Sequence, residues 1–266
     1  MSRKKRHKKS SGKKGAAGEV ITTVILIAAI CVFVFSAYQL VLMLVPYYSG
    51  GKEYDDVKKL AIIQDDTDKD GGEDKGDGFK VDFDALLKEN PDTVAWLRFD
   101  EPAVISYPVV KSADNEEYLT KTFSANDNKL GAIFMDMRNS KEFTDLNTFI
   151  YGHNLKVGGE MFSQLNEYAS EDFCKAHPYF YIYTPNGKLT YKIFSAGTVK
   201  DTAENYNLTY ETETDYTDYL QMCKNSSNYQ VDVTLDAKSQ IVSLSTCTNI
   251  NDDERFLVQG VLVEDE

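Results

Sequence analysis

The sequence predicts a mainly β protein, a closed or nearly closed barrel with short peripheral helices, preceded by one transmembrane helix. Three observations carry this expectation: an uncharged apolar run over residues 20–45, an acidic polar stretch over 46–80, and, from Trp96 onward, nine short segments rich in Val, Ile, Tyr, Phe and Thr with turn residues between them. With 266 residues, 42% hydrophobic and 12% aromatic, the chain can bury a sizeable core, because the buried fraction of a fold grows with its length. A disordered chain is thereby excluded.

Residues 1–19 form a basic arm. Arg3, Lys4, Lys5, Arg6, Lys8, Lys9, Lys13 and Lys14 concentrate positive charge there, although the formal net charge of the chain is -13. The body beyond the arm is therefore strongly acidic, and no nucleic-acid partner is expected, since phosphate neutralisation needs clustered Lys and Arg. The run VITTVILIAAICVFVFSAYQLVLMLV over 20–45 holds no charge and can cross a hydrocarbon core of about 30 Å. A signal peptide would have an apolar region of only about 7 to 15 residues before a small-residue cleavage site. Here Pro46-Tyr47-Tyr48 follows instead, which reads as an interfacial aromatic end. The expectation is a single-pass anchor in the cell membrane, with the arm cytoplasmic and the body extracellular.

Residues 46–80 read as an acidic stalk, part helical near 54–63 and otherwise solvated, and residues 81–266 as the folded domain. At 82–90 a first helix puts Phe83, Leu86 and Leu87 on one side, ended by Asn90-Pro91-Asp92. The strand candidates are 95–99, 105–110, 132–135, 148–151, 179–183, 189–199, 232–235, 240–246 and 255–263. Short helices are expected at 115–119, 159–164, 170–176 and 214–224. Pro185-Asn186-Gly187 is the turn of a hairpin.

The four cysteines are Cys31, inside the apolar run, and Cys174, Cys223 and Cys247 in the body. A Cys174–Cys223 disulfide is allowed outside the cell but not demanded, and either way one thiol is left over. Cys174 and His177 make a lone CxxH with no second ligand pair, so neither a metal nor a cofactor is expected.

Cys247 ends the apolar run IVSLSTC where a polar loop begins, and His153 in YGHN follows the run NTFIYG, so both sit where a strand delivers a side chain to a rim. His177, before Pro178, is the other candidate partner. A free thiol has a pKa near 8.5, so attack on an amide needs an activated thiolate and a donor for the leaving amine, which an imidazole supplies. Arg255 opens the last strand candidate, and a guanidinium aimed at the tetrahedral oxygen would lower the barrier. A buried structural cysteine and a surface ion pair of Arg255 with Asp252, Asp253 or Glu254 are the alternatives at this level.

YGHN, then LSTCT, then ERFLV resemble the catalytic signature of sortases. The body over about 82–263 is similar to class B members, also in NPDTVAWL, ISYPVVKSADNEEYL, GAIFMD and HPYFYIYTPNGKLTYKIFSAG. The resemblance implies an eight-stranded barrel and a membrane-anchored cysteine transpeptidase. Such an enzyme cuts a sorting motif near the C-terminus of secreted proteins and passes the acyl group to an amine of peptidoglycan or of a pilin. It implies Cys247 as thioester former, His153 as proton carrier and Arg255 as oxyanion-side cation. It further implies Asn115, Leu119, Ser245 and Thr246 in the peptide groove; the helix at 214–224 is either one wall of that groove or a simple amphipathic packing helix. Thr248-Asn249 stand where an acidic residue is common in class B, so no third carboxylate helper is assigned. A protease resolving the thioester with water and a noncatalytic surface scaffold are the other functional classes.

Overall fold

The computed structural model describes residues 16–64, 78–102, 105–155, 158–248 and 251–263. The chain divides into two units between Val45 and Pro46. Helix α1 (Ala16–Ala61) carries the apolar run. By length and composition it is the one helix among the described residues able to cross a membrane. Its hydroxyls Thr22 and Thr23 donate to the carbonyls of Gly18 and Glu19 one turn back, at 2.8 and 2.9 Å, the local back-bonding open to Thr within a helix.

The second unit begins at Pro46, earlier than the expected start at 81. Tyr54, Val57 and Ala61 recur at helical spacing and are buried in the main core. Within a highly charged segment, that single apolar stripe is enough to dock the end of α1. Strand β1 (Ile62–Gln64) then pairs antiparallel with β2 (Phe79–Val81). The remainder of the expected stalk, 65–77, lies outside the described residues.

Helix α2 (Phe83–Glu89) starts at Asp82, whose carboxylate accepts from Ala85 N–H at 2.9 Å. Eight strands follow: β3 (Thr93–Phe99), β4 (Ser106–Val110), β5 (Ile133–Met135), β6 (Asn147–Tyr151), β7 (Tyr179–Thr184), β8 (Gly187–Lys200), β9 (Ile241–Cys247) and β10 (Glu254–Val263). They close in the order β10-β8-β7-β3-β4-β5-β6-β9 around fully buried Trp96, Phe149, Phe180 and Phe194. The β7–β8 hairpin turns at Pro185-Asn186, with Thr184 paired to Gly187. Two neighbour pairs, β4–β5 and β6–β9, are parallel. Parallel strands need long crossovers; the chain between β6 and β9 includes β7, β8 and, after β8, α4 (Glu213–Asn225), started by a capping box of Thr212 and Asp215.

Eight of the nine strand candidates join the barrel; 232–235 does not. Val233 and Leu235 pack beside α4, but the carbonyls of Asp232 and Val233 accept from the lysine heads of Lys192 and Lys224 at 3.3 and 3.1 Å. Alternation alone does not make a strand where the barrel leaves no open edge. The helix expected at 115–119 is a single 3-10 turn, Glu117–Leu119. That at 159–164 begins later, as a 3-10 segment over Ser163–Ala169, followed by α3 (Glu171–Ala176).

Candidate active site

Register determines which side chains meet. In the parallel pair, Tyr151 of β6 stands opposite Ser245 of β9, so two residues further along both chains His153 and Cys247 leave the barrel at the same rim. The antiparallel pairing of β9 with β10 sets Arg255 directly across from Cys247. All three half-buried side chains line one cleft of about 310 Å3 with Asn115, Leu119, Ser245 and Thr246. His177 is not among the lining residues; it ends α3 against the Phe173 ring.

Several contacts hold the His153 loop. Gly152 N–H donates to Ser245 O at 3.2 Å, and the Asn154 amide to Cys247 O at 2.7 Å, tying the loop to β9 on both sides of the histidine. His153 Nε2 lies 2.7 Å from Leu119 O. A carbonyl only accepts, so Nε2 carries the hydrogen and Nδ1 is left for proton exchange. Beneath the ring, Gly131 has a φ of +62°, and a Cβ there would come within 2.7 Å of His153 Cδ2 and 2.8 Å of Tyr118 O. Only glycine suits both the left-handed backbone and the close approach. Gly131 O in turn accepts from the Tyr54 hydroxyl at 2.8 Å, so the helix segment beyond Pro46 braces the floor of the site.

Arg255 Nη1 donates to the carbonyls of Asp252 and Glu254 at 2.7 and 2.9 Å, and Nη2 reaches Asp201 Oδ2 at 3.4 Å. Asp201 follows β8, held there by its own N–H on Asp253 O at 2.9 Å. Cleft residues beyond the expected ones are Phe134, Tyr151, Gly152, Asp201 and Tyr206. Tyr206 stacks on Phe149 with centroids 5.1 Å apart and shares a 2.7 Å hydrogen bond with Ser245 Oγ. Burial pushes its phenol up to about 12, so it stays protonated. The insert thus contributes its 3-10 turn Glu204–Tyr206 as the wall. Of the two readings of helix α4, groove wall or packing helix, its burial of Tyr216, Tyr219, Leu220 and Cys223 in a second cluster fits packing. No local motif marks Asp201 or Tyr206; an aromatic followed by Asn in an insert is a weak signal.

Thr246 Oγ1 is buried and has no hydrogen-bond partner among the described residues. Cys174 and Cys223 are free thiols in separate clusters, both pushed up by burial, which suits inert structural cysteines. No group of three His, Cys, Asp or Glu capable of holding a metal occurs among the described residues. A thiol, an imidazole with one open nitrogen and a guanidinium on one rim are a set suited to acyl transfer.

Residues 101–263 match the family model described as Sortase domain. The chain is 35% identical to Sortase B of Listeria monocytogenes over 238 residues, 87% of this chain and 92% of that protein. It is 34% identical to Sortase B of Staphylococcus aureus over 167 residues, 62% and 67% of the two chains. Among solved structures, sortase B from Bacillus anthracis in complex with AAEK2 gives a TM-score of 0.71 at 30% identity, covering 83% of this chain and 98% of that one. The Staphylococcus aureus sortase B-substrate complex gives 0.65 at 28% identity, covering 69% and 85%.

Proposed function

Because this chain belongs to the sortase family and to its class B, and is therefore a cysteine transpeptidase, we propose that Cys247 cleaves a sorting motif near the C-terminus of secreted proteins and passes the acyl group to a peptidoglycan amine. The observation that carries the assignment of residues is the common rim of Cys247, His153 and Arg255. His153 Nδ1 takes the thiol proton as sulfur bonds to the scissile carbonyl carbon, and the π electrons move onto oxygen. Arg255 Nε and the second Nη2 hydrogen, not engaged by Asp201, Asp252 or Glu254, donate to that oxyanion. Collapse breaks the C–N bond, and the leaving amine departs with the proton from His153, leaving a thioester on Cys247. The acceptor amine then gives a proton to the same nitrogen, attacks the thioester, and the thiolate leaves. Asn115, Leu119, Ser245 and Thr246, with Tyr206 opposite, bind the peptide.

Residues 20–45 anchor the protein in the cell membrane, with the basic arm 1–19 cytoplasmic and the body from Pro46 extracellular. The charge asymmetry across the apolar run supports this topology. It would bring exported substrates past the thiol.

The test incubates the full-length chain in detergent with a library of sorting-motif peptides and amine acceptors, read by mass spectrometry. The expected result is an acyl adduct on Cys247 and a ligated product whose formation rises with amine concentration. An adduct resolved at a rate indifferent to amine would make the protein a hydrolase, and no adduct with any peptide would sink the assignment. Ligation to a pilin lysine in preference to a peptidoglycan stem amine would move it to pilin polymerisation.

A further inference from the structure

Asp136 directly follows β5, and its side chain is fully buried although nothing in the proposed chemistry uses it. Its carboxylate accepts five hydrogen bonds. Oδ1 takes Arg138 N and Nε, both at 2.9 Å; Oδ2 takes Arg138 Nη2 at 2.8 Å, the Tyr151 hydroxyl at 2.8 Å and Asn115 Nδ2 at 3.1 Å. Burial alone would raise its pKa; the Arg138 bonds and the Tyr151 hydroxyl outweigh it and hold the group at about 2. It is therefore an anion throughout the physiological range.

An ionised carboxylate can only accept, and this forces the polarity of two cleft residues. Asn115 must turn its amide nitrogen to Asp136, and its Oδ1 takes Met137 N–H at 2.7 Å. Both ends of the carboxamide are thereby determined by their partners, and one amide hydrogen remains. Tyr151 gives its only hydroxyl proton to Asp136 and takes a bond from the Arg138 guanidinium, so any further partner in the cleft must be a donor to its remaining lone pair. The two groups share one carboxylate oxygen and are neighbours on the cleft wall.

We infer that Asp136 is a positioning residue that sets Asn115 as a donor and Tyr151 as an acceptor, so that this wall engages the C=O and N–H on one main-chain edge of the bound peptide. An extended residue presents such a pair, as in the hydrogen-bonded pairs of antiparallel strands. The inference rests on the proposed function in that it takes the cleft to bind a peptide.

The test uses calorimetry of the peptide selected in the mass-spectrometric screen. The full-length chain in detergent carries Cys247→Ala to stop turnover. Binding is compared for this parent, for Asp136→Asn, for Asn115→Ala with Tyr151→Phe, and for all of them together. Asp136→Asn alone should weaken binding about tenfold, and less than twofold more once Asn115 and Tyr151 are already replaced. Additive losses overturn the inference, because Asp136 would then act through the fold and not through these two groups. If Asp136→Asn does not fold, NMR of the parent answers instead. The two Asn115 side-chain amide hydrogens should be well separated, one protected from exchange and the other shifted by peptide; fast exchange of both overturns the inference. Replacing motif amides by esters one at a time should locate one position where the loss disappears with Tyr151→Phe; a loss that follows side-chain changes and no ester overturns the main-chain assignment. If no library peptide acylates Cys247, the proposed function falls and takes this inference with it. If a peptide acylates Cys247 and the losses add, only this inference falls.

Discussion

The two sides of the cleft are held in opposite ways. On one side Asn115 and Tyr151 hang from a buried carboxylate saturated by five donors. On the other, Arg255 leans on two loop carbonyls and, at 3.4 Å, on the solvent-exposed carboxylate of Asp201. A charge bonded in a dry site is costly to move, whereas an exposed ion pair is screened and weak. The Asn115–Tyr151 side is therefore preset, while the Arg255 guanidinium has room to shift. Cys247 and His153 stand between them, at strand ends.

The hardest break is chemical. Cys247→Ala should lower transpeptidation on the order of 10⁶-fold, by analogy with removal of another enzyme's nucleophile, with unchanged thermal unfolding; an acyl adduct persisting on another residue would remove Cys247 from its role. Next comes the floor that both sides share. Gly131→Ala, at φ +62° and hard against His153 and Tyr118, should cost about 2 to 3 kcal/mol in urea unfolding. A loss below about 0.5 kcal/mol would mean that the histidine is not closely packed.

Third is the pH dependence of the preset wall. The folded pKa of Asp136, about 2, is depressed below the ordinary value of about 3.9, so the unfolded carboxyl protonates first. Its contribution, roughly 2 kcal/mol, is present above about pH 4 and lost as pH falls toward 2. Urea midpoints between pH 5 and 2.5 should fall more steeply for the native chain than for Asp136→Asn; equal slopes would show that the carboxylate is not the stabilised anion described. The smallest effect belongs to the adjustable side. Asp201→Asn should change kcat/KM by only about two- to fivefold, less at high salt. A loss beyond about fiftyfold would mean that Arg255 is held as tightly as Asn115.

Legibility in the sequence followed the range of the interactions. Eight strands, the apolar helix and the β7–β8 turn were readable, because alternation, length and turn chemistry are local. The segment 232–235 misled because its alternation is real while its strand neighbours do not exist. The highly charged composition of 46–61 concealed a stripe of only three residues, Tyr54, Val57 and Ala61. Asp136 lies in GAIFMD, a segment visible by resemblance, yet its partners Asn115, Arg138 and Tyr151 come from separate stretches of chain. Asp201 and Tyr206 sit in an insert without pattern.

By itself the sequence determined the apolar span, the barrel class and a short set of chemical groups, Cys247, His153 and Arg255 among them. The first two depend on composition and spacing within a few residues; the three groups stood out through the resemblance of their motifs to those of sortases. Only the tertiary structure decided that these three share one rim, that His153 and not His177 lines the thiol's cleft, and that a buried carboxylate takes hydrogen bonds from two residues of that cleft. Those outcomes rest on parallel pairing of β6 with β9 and on contacts between distant segments, which chain closure creates and no local pattern encodes.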